Sequence, residues 1–431
     1  MGAPAATLAP LARLKAILGG SAGNLVEWYD WFAYASFSLY FAKVFFPGGD
    51  QTAQLLQTAA VFAVGFFARP LGAWIMGLYA DRRGRKAALV ASVALMCLGS
   101  LIVAVVPGYA TIGAAAPAIL TLARLIQGLS VGGEYGASAT YMSEMAGARR
   151  RGFWSSFQFV TLIAGQLLAL GVLIVLQHIL SRGALDAWGW RIPFVIGAAL
   201  AVVVFWIQRG LDESAVFAAD TRRGSAGSGA VGLVAAHPRE TFIVFVLSAA
   251  GGLGFYAYTT YMQKFLANTA HFGRDTATAI SAASLIFYVL VIPAFGWLGD
   301  RIGRTRLIAI AFGLGALAAF PLMTAIGRSR DAGGALLLVC GAIALLAGYS
   351  AVNAVVKAEL FPTHLRALGV SLPYALGNAA FGGTAEYIAL AFKQAGRESG
   401  FFVYLAVVQA LACLAALSLR DTRKHGWLTD D

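Results

Sequence analysis

Long apolar stretches alternate with short polar breaks along almost the whole chain. A helix needs roughly 20 apolar residues to cross a lipid bilayer. Turn-forming residues fill several of the breaks, as in PGGDQ at 47–51 and GRSRDAGG at 327–334. The pattern predicts an all-α membrane protein with twelve transmembrane helices, near residues 16–46, 54–80, 87–106, 114–143, 153–180, 191–209, 240–267, 276–298, 306–326, 334–358, 367–394 and 400–419.

Composition agrees with this class of protein. Of the 431 residues, 59% are hydrophobic and 12% are charged, whereas soluble domains carry about 25% charged residues. The net charge of +12 is compatible with nucleic-acid binding, but the basic residues cluster in short loops, which membrane topology explains directly. The three cysteines lie in apolar runs without metal-ligand spacing. We therefore expect no metal, no cofactor and no nucleic-acid partner.

The distribution of basic residues predicts how the chain is oriented. One set of alternate loops, together with both termini, holds 20 Lys and Arg residues, and the other set holds 8. Because basic loops stay in the cytoplasm, we expect a multi-pass membrane protein with both termini cytoplasmic, which in a bacterium means the inner membrane.

The chain is predicted to consist of two homologous halves. Residues 1–209 would form an N-terminal six-helix bundle, and residues 240–431 a C-terminal one. The connection at 210–239 contains RRGSAGSGAVG, a composition typical of a linker. The sequence D-R-x-G-R follows the second predicted helix and again follows the eighth, 219 residues later. Such a repeat indicates two six-helix halves related by parallel duplication.

The repeated loops predict polar contacts that hold the two halves together on the cytoplasmic side and break when that side opens. An aspartate there can pair with an arginine or meet the positive N-terminus of a following helix. The alternative interpretation is that these charges only set topology, but topology alone requires neither the aspartate nor the glycine. A second repeat follows the fourth and tenth helices, where Glu144 precedes Arg151 and Glu359 precedes Arg366. The expected gating residues are Asp81, Arg82, Arg85, Asp300, Arg301, Arg304, Glu144, Arg151, Glu359 and Arg366.

Several stretches carry a family resemblance. GLYADRRGRK at 77–86, repeated in part at 296–306, resembles the signature loop of the major facilitator superfamily, and RLIQG at 124–128 resembles a second motif of that superfamily. GNLVEWYDWFAY at 23–34, RLIQGLSVGGEYGASATYMSE at 124–144 and WGWRIPF at 188–194 resemble the metabolite:proton symporter family within it. The similarity runs nearly end to end, and it is strongest to the bacterial carriers of α-ketoglutarate.

The resemblance implies a proton-coupled symporter that imports a small dicarboxylate, with α-ketoglutarate as the expected substrate, by alternating access. The chain would then be a transporter and not an enzyme, and we expect a monomer in the lipid bilayer. Relatives with similar motifs carry other organic acids or zwitterionic osmolytes, so those substrates stay open. A membrane sensor of the same fold that binds without transport is a further alternative.

Ionisable residues inside predicted spans are candidate functional groups, because charge is costly in the bilayer. On the first helix, Glu27, Asp30 and Tyr34 follow helical spacing and share one face. The second and fourth helices contribute Arg69 and Arg124. Arginine can bind a carboxylate through two parallel hydrogen bonds, so we expect Arg69 as the main substrate anchor and Arg124 as the second. Each arginine is alternatively a structural counter-ion to an acid.

Proton coupling is expected at Asp30, Glu27 or Glu134. Burial favours the neutral form of a carboxyl group, and its protonation would free an arginine for the anionic substrate. We favour Asp30 as the carrier and Glu27 as a structural partner. The second half supplies Tyr256 and Tyr261 as expected hydrogen-bond donors to substrate, with Tyr34 from the first half, or as an interfacial aromatic belt.

Lys357 completes the expected substrate-binding set, although its place near the end of its span suits gating equally well. One enzyme motif fails on its context, and one nucleotide-binding motif is absent from the sequence. GLSVG at 128–132 matches the nucleophile elbow of hydrolases, but it lies within a predicted membrane helix and not at a strand-to-helix turn. The sequence has no G-x-x-x-x-G-K-[ST] motif, so ATP is not expected to drive the protein.

Overall fold

A computed structural model describes residues 10–83, 85–131, 150–209, 234, 236–422 and 426–427. These residues are helical almost throughout. The long helices are α1 (Pro10–Phe45), α2 (Gln51–Arg83), α3 (Arg85–Val105), α4 (Ala115–Val131), α5 (Arg151–Ile179), α6 (Ile192–Arg209), α7 (Pro238–Asn268), α8 (Arg274–Ile302), α9 (Arg304–Arg328), α10 (Ala332–Glu359), α11 (363–394) and α12 (Ser399–Leu417).

Every predicted span has a helix in the described part of the chain, so the predicted fold class is confirmed. Eight of these helices, namely α2, α5 to α10 and α12, are long and apolar enough to cross a membrane. Helices α3 and α4 contain shorter apolar stretches, Val90–Val105 and Ala115–Ser130. Helices α1 and α11 carry buried ionisable residues, Asp30 and Glu386 among them, which lower their hydropathy. Helices with a full apolar window also carry buried charges, since Arg69 lies on α2, Lys264 on α7 and Lys357 on α10.

The helices pack as two sets. Helices α1 to α6 contact mainly one another, for example α2 against α4 and α3 against α6, and α7 to α12 do the same, with α9 against α12 as the most extensive contact. The two sets meet along two seams, α5 against α8 and α2 against α11. Any site between the sets must therefore lie between these seams.

Glycines allow α2 and α4 to cross in close contact. A side-chain carbon at Gly128 would overlap the carbonyl oxygen of Gly65, and one at Gly72 would overlap the backbone of Leu129. Small residues of this kind let helix backbones approach closely in membranes. A carbon added at Gly65 would also lie 2.9 Å from the Trp31 ring. The crossing therefore brings α1, α2 and α4 together at one level of the bundle.

Two helices of the second set contain a turn of π-helix, at Tyr256–Thr260 in α7 and Asn378–Gly382 in α11. The two turns pack against each other, since a carbon added at Gly382 would lie 2.6 Å from the Asn378 amide oxygen and 3.0 Å from the Tyr256 ring. Short π-helical turns occur often at functional sites. Both turns are next to the cavity described below.

Candidate substrate and proton site

The acidic face of α1 lies inside the bundle. Glu27, Asp30 and Tyr34 are 7%, 2% and 1% exposed, and their spacing places them on one side of the helix. A buried carboxylate needs charged or hydrogen-bonding partners. The partners come from α2, α3 and α4.

The guanidinium group of Arg69 on α2 is surrounded by aromatic rings. Its Cζ atom is 4.0 Å from the centroid of the Trp31 ring and 4.1 Å from that of Phe66. Glu27 and Tyr256 act on it electrostatically. Nε and Nη2 of Arg69 are buried and have no hydrogen-bond partner among the described residues. Cation–π attraction offsets part of the cost of burial, and these N–H groups remain available to an anion.

Arg124 on α4 is connected to Asp30 through a side-chain amide. Its Nη1 donates a hydrogen bond of 2.6 Å to the Gln127 oxygen, and the Gln127 nitrogen donates to one oxygen of the Asp30 carboxylate. The hydroxyl of Ser100, on α3, donates to the other oxygen. Nε and Nη2 of Arg124 have no partner within the described part of the chain. Gln127 thus connects Asp30 to Arg124 through two hydrogen bonds.

The two arginines share one aromatic neighbour. Besides its contact with Arg69, the Trp31 ring has its centroid 4.4 Å from the Arg124 Cζ atom, and the Tyr34 ring lies at the same distance from that atom. The Tyr34 hydroxyl donates to the backbone oxygen of Thr58 at 3.0 Å. Arg69 and Arg124 act on each other as like charges. Two neighbouring buried cations with free donors form an environment that favours an anion.

A small cavity of about 10 Å³, which is room for roughly one water molecule, lies between α5 and the second set of helices. Tyr256 and Tyr374, which line it, both act electrostatically on Arg69. The guanidinium group therefore lies close to the second set across the cavity region. The lining residues are Phe159, Leu162, Gly251, Gly252, Phe255, Tyr256, Tyr349, Tyr374 and Asn378.

Lys357 on α10 is buried beside this cavity. Its Nζ atom donates to the Asn353 amide oxygen at 3.1 Å and to the Tyr349 hydroxyl at 3.2 Å. It also lies 4.5 Å from the centroid of the Tyr374 ring. Because Tyr349 and Tyr374 both line the cavity, Lys357 is adjacent to its polar wall.

Tyr261 has different surroundings from Tyr256. Its ring packs against Phe265 and Phe401, with centroids 5.8 and 5.9 Å away. Glu386 acts electrostatically on both Tyr261 and Tyr34. The structure thus places Tyr261 in the core of the second set, near a carboxylate, and not in the cavity lining.

Helices α5 and α8 are joined at what we call the Asp300 end of the bundle. The Asp300 carboxylate accepts hydrogen bonds from the backbone N–H groups of Gly152 and Phe153, at 2.9 and 3.0 Å. Arg304 bonds to Asp300 at 2.7 Å and also contacts Glu359. A carboxylate at the first turn of α5 is favoured by the positive helix N-terminus. One acid therefore connects the two sets and is held by an arginine of its own set.

The remaining predicted gating residues fall in two groups. Arg301 lies 3.8 Å from the Trp297 ring centroid, Arg366 donates to the Ala358 oxygen at 3.1 Å, and Arg151 acts electrostatically on Glu359. The other group lies outside the described residues. It comprises Glu144 and the side chains of Asp81, Arg82 and Arg85. Glu134, an expected proton carrier, also lies outside the described residues.

The opposite end of the bundle, which we call the Asp186 end, is also closed by ion pairs. The Asp186 carboxylate bonds to Lys43 at 2.9 Å and to Arg274 at 2.8 Å. A further pair of 3.1 Å joins Arg182 to Asp275. These contacts connect α1 and the α5–α6 connection to the start of α8. Since the Asp300 end is joined as well, the described residues of the two sets are in contact at both ends of the bundle.

Sequence reasoning missed several of these residues. Gln127 belongs to a recognised motif, which offered a signal, whereas Ser100 is one of many serines in apolar helices. Asp186 pairs with residues 88 and 143 positions away, a distance that no local pattern reveals. Lys264 and Glu386 fall within the predicted spans 240–267 and 367–394, but no local pattern pairs two residues that are 122 positions apart.

Comparison with known families gives a match over nearly the whole chain. The model of the family described as "Sugar (and other) transporter" matches residues 16–232 and 228–419. The chain is 50% identical over 413 residues to a protein named "Alpha-ketoglutarate permease" from Escherichia coli (strain K12), covering 96% of this chain and 95% of the relative. It is 33% identical over 428 residues to a "Citrate-proton symporter" from Salmonella typhi, covering 95% of each.

Solved structures with the same fold are more distant in sequence. A D-xylose-proton symporter superimposes with a TM-score of 0.76 at 19% identity, over 95% of this chain and 98% of that one. A partially occluded inward-open form of the xylose transporter XylE from E. coli gives 0.76 at 20% identity, over 93% and 96%. At this level of identity the similarity concerns the fold alone, and it agrees with the twelve helices observed in the described residues.

Proposed function

Because the chain belongs to the Sugar (and other) transporter family, we propose that it is a proton-coupled symporter that imports a small dicarboxylate, with α-ketoglutarate as the substrate. Membership in this family makes the chain a membrane transporter and not an enzyme. The relative that is 50% identical is named an α-ketoglutarate permease, and a second relative is named a citrate-proton symporter. Both names describe carriers of compounds with more than one carboxylate.

The observation that supports this proposal most is the pair of buried guanidinium groups around Trp31. Arg69 and Arg124 each have two N–H-bearing nitrogens without a partner in the described residues. Arginine binds carboxylates through paired, charge-assisted hydrogen bonds. The site thus suits an anion, and it disfavours a zwitterionic osmolyte, whose cationic group would meet two positive charges.

Asp30 is the proton carrier in this proposal. While Asp30 is ionised, Gln127 holds Arg124 toward it. Protonation of Asp30 removes the negative charge that competes for Arg124, and a substrate carboxylate takes its place. Glu27, which acts electrostatically on Arg69, stays ionised as the structural counter-ion. Glu134 is kept as an alternative carrier.

The second half closes over the substrate. Tyr256 acts electrostatically on Arg69 and lines the cavity, so its hydroxyl is placed to donate to a bound carboxylate. Lys357 adds positive charge beside the same wall, and Tyr34 orients Arg124 by stacking. Tyr261 contributes indirectly, through the packing of α7.

Transport proceeds by alternating access between the two halves, residues 1–209 and 240–431, with 210–239 as the linker between them. The contacts at the Asp300 end and at the Asp186 end open in turn, so that the site faces one side of the membrane at a time. We place the Asp300 end in the cytoplasm with both termini, because basic loops stay inside. The carrier acts as a monomer in the inner membrane.

Transport by purified protein in liposomes tests this proposal. Uptake of radiolabelled α-ketoglutarate should rise with an inward proton gradient and fall to the passive level with an uncoupler. A panel of unlabelled mono-, di- and tricarboxylates and glycine betaine then identifies the substrate class. Equal competition by monocarboxylates would contradict the two-cation site, and binding without uptake would indicate a sensor.

A further inference from the structure

An ion pair is buried in the second half, away from the arginines. The Lys264 ammonium on α7 lies 2.6 Å from one carboxylate oxygen of Glu386 on α11. Their side chains are 1% and 3% exposed. The other Glu386 oxygen, Oε1, is buried and has no hydrogen-bond partner among the described residues. Lys264 and Glu386 thus bring a charged, partly unsatisfied group into the core of the bundle.

This pair is poorly suited to a purely structural role. Two buried charges lose hydration, and their attraction repays that loss only when the remaining donors and acceptors are satisfied. An ammonium group has three donors, and the only hydrogen bond of Lys264 in the described part of the chain goes to Glu386. Apolar residues of similar volume would stabilise the α7–α11 contact at least equally well. The charges therefore point to an interaction with a ligand.

The pair is close to the arginine site across the seam between the halves. Glu386 acts electrostatically on Tyr34 of α1, and the Tyr34 ring is 4.4 Å from the Arg124 Cζ atom. Helix α11, which carries Glu386, also packs against α2, the helix of Arg69. Tyr34 thus lies close to Arg124 of the first half and interacts electrostatically with Glu386 of the second half.

We propose that Lys264 binds the second carboxylate of the dicarboxylate substrate, while the arginine site of the first half binds the first. The remaining donors of Lys264 contact the carboxylate, and Glu386 is a positioning residue that holds the ammonium toward the seam. This inference rests on the proposed dicarboxylate transport. It makes Lys264 the residue that distinguishes dicarboxylates from monocarboxylates.

The arrangement also places the two ends of the substrate on different halves. Lys264 and Glu386 belong to α7 and α11, the two helices that contain π-helical turns. A substrate with two carboxylates can connect both halves, whereas a monocarboxylate contacts only the arginines. Dicarboxylate binding thereby favours the closed form that precedes the change of access.

Two probes separate this role from a structural one. The first is α-ketoglutarate, and the second is 2-oxopentanoate, which has the same carbon chain with a methyl group in place of the second carboxylate. The test variant is Lys264→Gln/Glu386→Gln, which removes both charges and leaves neither one uncompensated. Lys264→Met/Glu386→Met repeats the comparison with an apolar pair, in case the first variant is not assembled.

Lys393→Gln is the matched control. Lys393 also joins α11 to the end of α7, through hydrogen bonds of 2.9 Å to the Asn268 oxygen and 2.5 Å to the Thr269 hydroxyl. Its side chain is 19% exposed, and its ammonium nitrogen lies 3.6 Å from Glu398. The Lys393→Gln variant shows how much a weakened α7–α11 contact alone changes the half-saturation concentration for uptake.

The measurement is the half-saturation concentration for uptake of each probe in liposomes. In the double variant, the value for α-ketoglutarate should rise roughly 30-fold, as expected for loss of about 2 kcal/mol, and approach the value for 2-oxopentanoate. The 2-oxopentanoate value should not change, and Lys393→Gln should alter neither value.

The inference is overturned if the double variant keeps its preference for α-ketoglutarate, or if both values rise together. Failure of the proposed function looks different, because the unmodified protein would then transport no α-ketoglutarate. In that case the preference is absent before any residue is changed.

Discussion

Asp30 and Arg124 interact through the amide of Gln127, which accepts a hydrogen bond from the arginine at 2.6 Å and donates to the carboxylate. An amide between an acid and a base transmits a change of charge without direct contact between them. Protonation of Asp30 leaves the Gln127 nitrogen with a weaker acceptor, and the arginine is then held less firmly. This relationship is the structural basis of the proposed coupling.

Replacing Gln127 by Leu should weaken coupling more than binding. Leucine has a similar volume but neither donates nor accepts, so Asp30 and Arg124 lose their connection. We expect uptake driven by a proton gradient to fall by about tenfold, with a half-saturation concentration within roughly threefold of the original, since the arginine donors remain. Initial rates of uptake with and without a pH gradient test this.

Ser100→Ala is the control for the Gln127 variant. It removes the other hydrogen bond to Asp30 but leaves the amide connection in place. Its effect on gradient-driven uptake should be much smaller. Equal losses in the two variants would show that any hydrogen bond to Asp30 suffices, and that Gln127 has no special role.

Arg69→Lys should lower the affinity for substrate while keeping the positive charge. Lysine cannot reproduce the paired donors or the planar contact with Trp31 and Phe66. We expect the half-saturation concentration for α-ketoglutarate to rise at least about tenfold, equivalent to about 1.4 kcal/mol. Competition binding to the purified protein should show the same shift, which separates affinity from turnover.

Arg182→Lys is the matched control for a change from arginine to lysine. Arg182 forms an ion pair with Asp275, but its side chain is 88% exposed, and exposed pairs contribute little. This variant should transport normally. If Arg69→Lys also kept the original affinity, bidentate recognition at Arg69 would be wrong.

Asp300→Asn should open the Asp300 end. The neutral amide accepts more weakly from the N–H groups of Gly152 and Phe153 and loses the ion pair to Arg304. Ser155, at the start of α5, is 1% exposed in this closed form. A cysteine introduced there, with the native cysteines replaced, should react several-fold faster with a maleimide in the Asp300→Asn background.

Asp186→Asn, at the Asp186 end of the bundle, is the control for labelling of the cysteine introduced at Ser155. Asp186→Asn removes the ion pairs to Lys43 and Arg274 and favours opening on the opposite side. Labelling of the introduced cysteine should then stay slow or slow further. Faster labelling in both backgrounds would mean that the two ends do not open in turn.

Gly128→Ala should destabilise the crossing of α2 and α4. The added carbon overlaps the carbonyl oxygen of Gly65, and overpacking of this kind typically costs about 1–3 kcal/mol. We expect a lower thermal unfolding midpoint in detergent. Gly171→Ala is the control, because nothing lies within 4 Å of a carbon added there. Equal unfolding midpoints for the two variants would contradict close packing at this crossing.

The sequence predicted the twelve helices because hydropathy is a local property that the bilayer imposes on each span. It also predicted the buried face of Glu27 and Asp30, since helical spacing fixes which residues share a side. The way Arg69 and Arg124 gather around Trp31 was not predictable, because it depends on how α1, α2 and α4 cross. The Lys264–Glu386 pair was missed for the same reason, since its members are 122 positions apart.

The central claim is that Asp30 couples proton movement to substrate movement, and Asp30→Asn tests it most directly. The variant is to be assayed in liposomes for exchange of labelled against unlabelled α-ketoglutarate and for accumulation driven by a pH gradient. The amide mimics the protonated carboxyl, so exchange should persist while gradient-driven accumulation falls to the level seen with an uncoupler. Accumulation that survives in Asp30→Asn, or exchange and accumulation lost to the same extent, would contradict the claim.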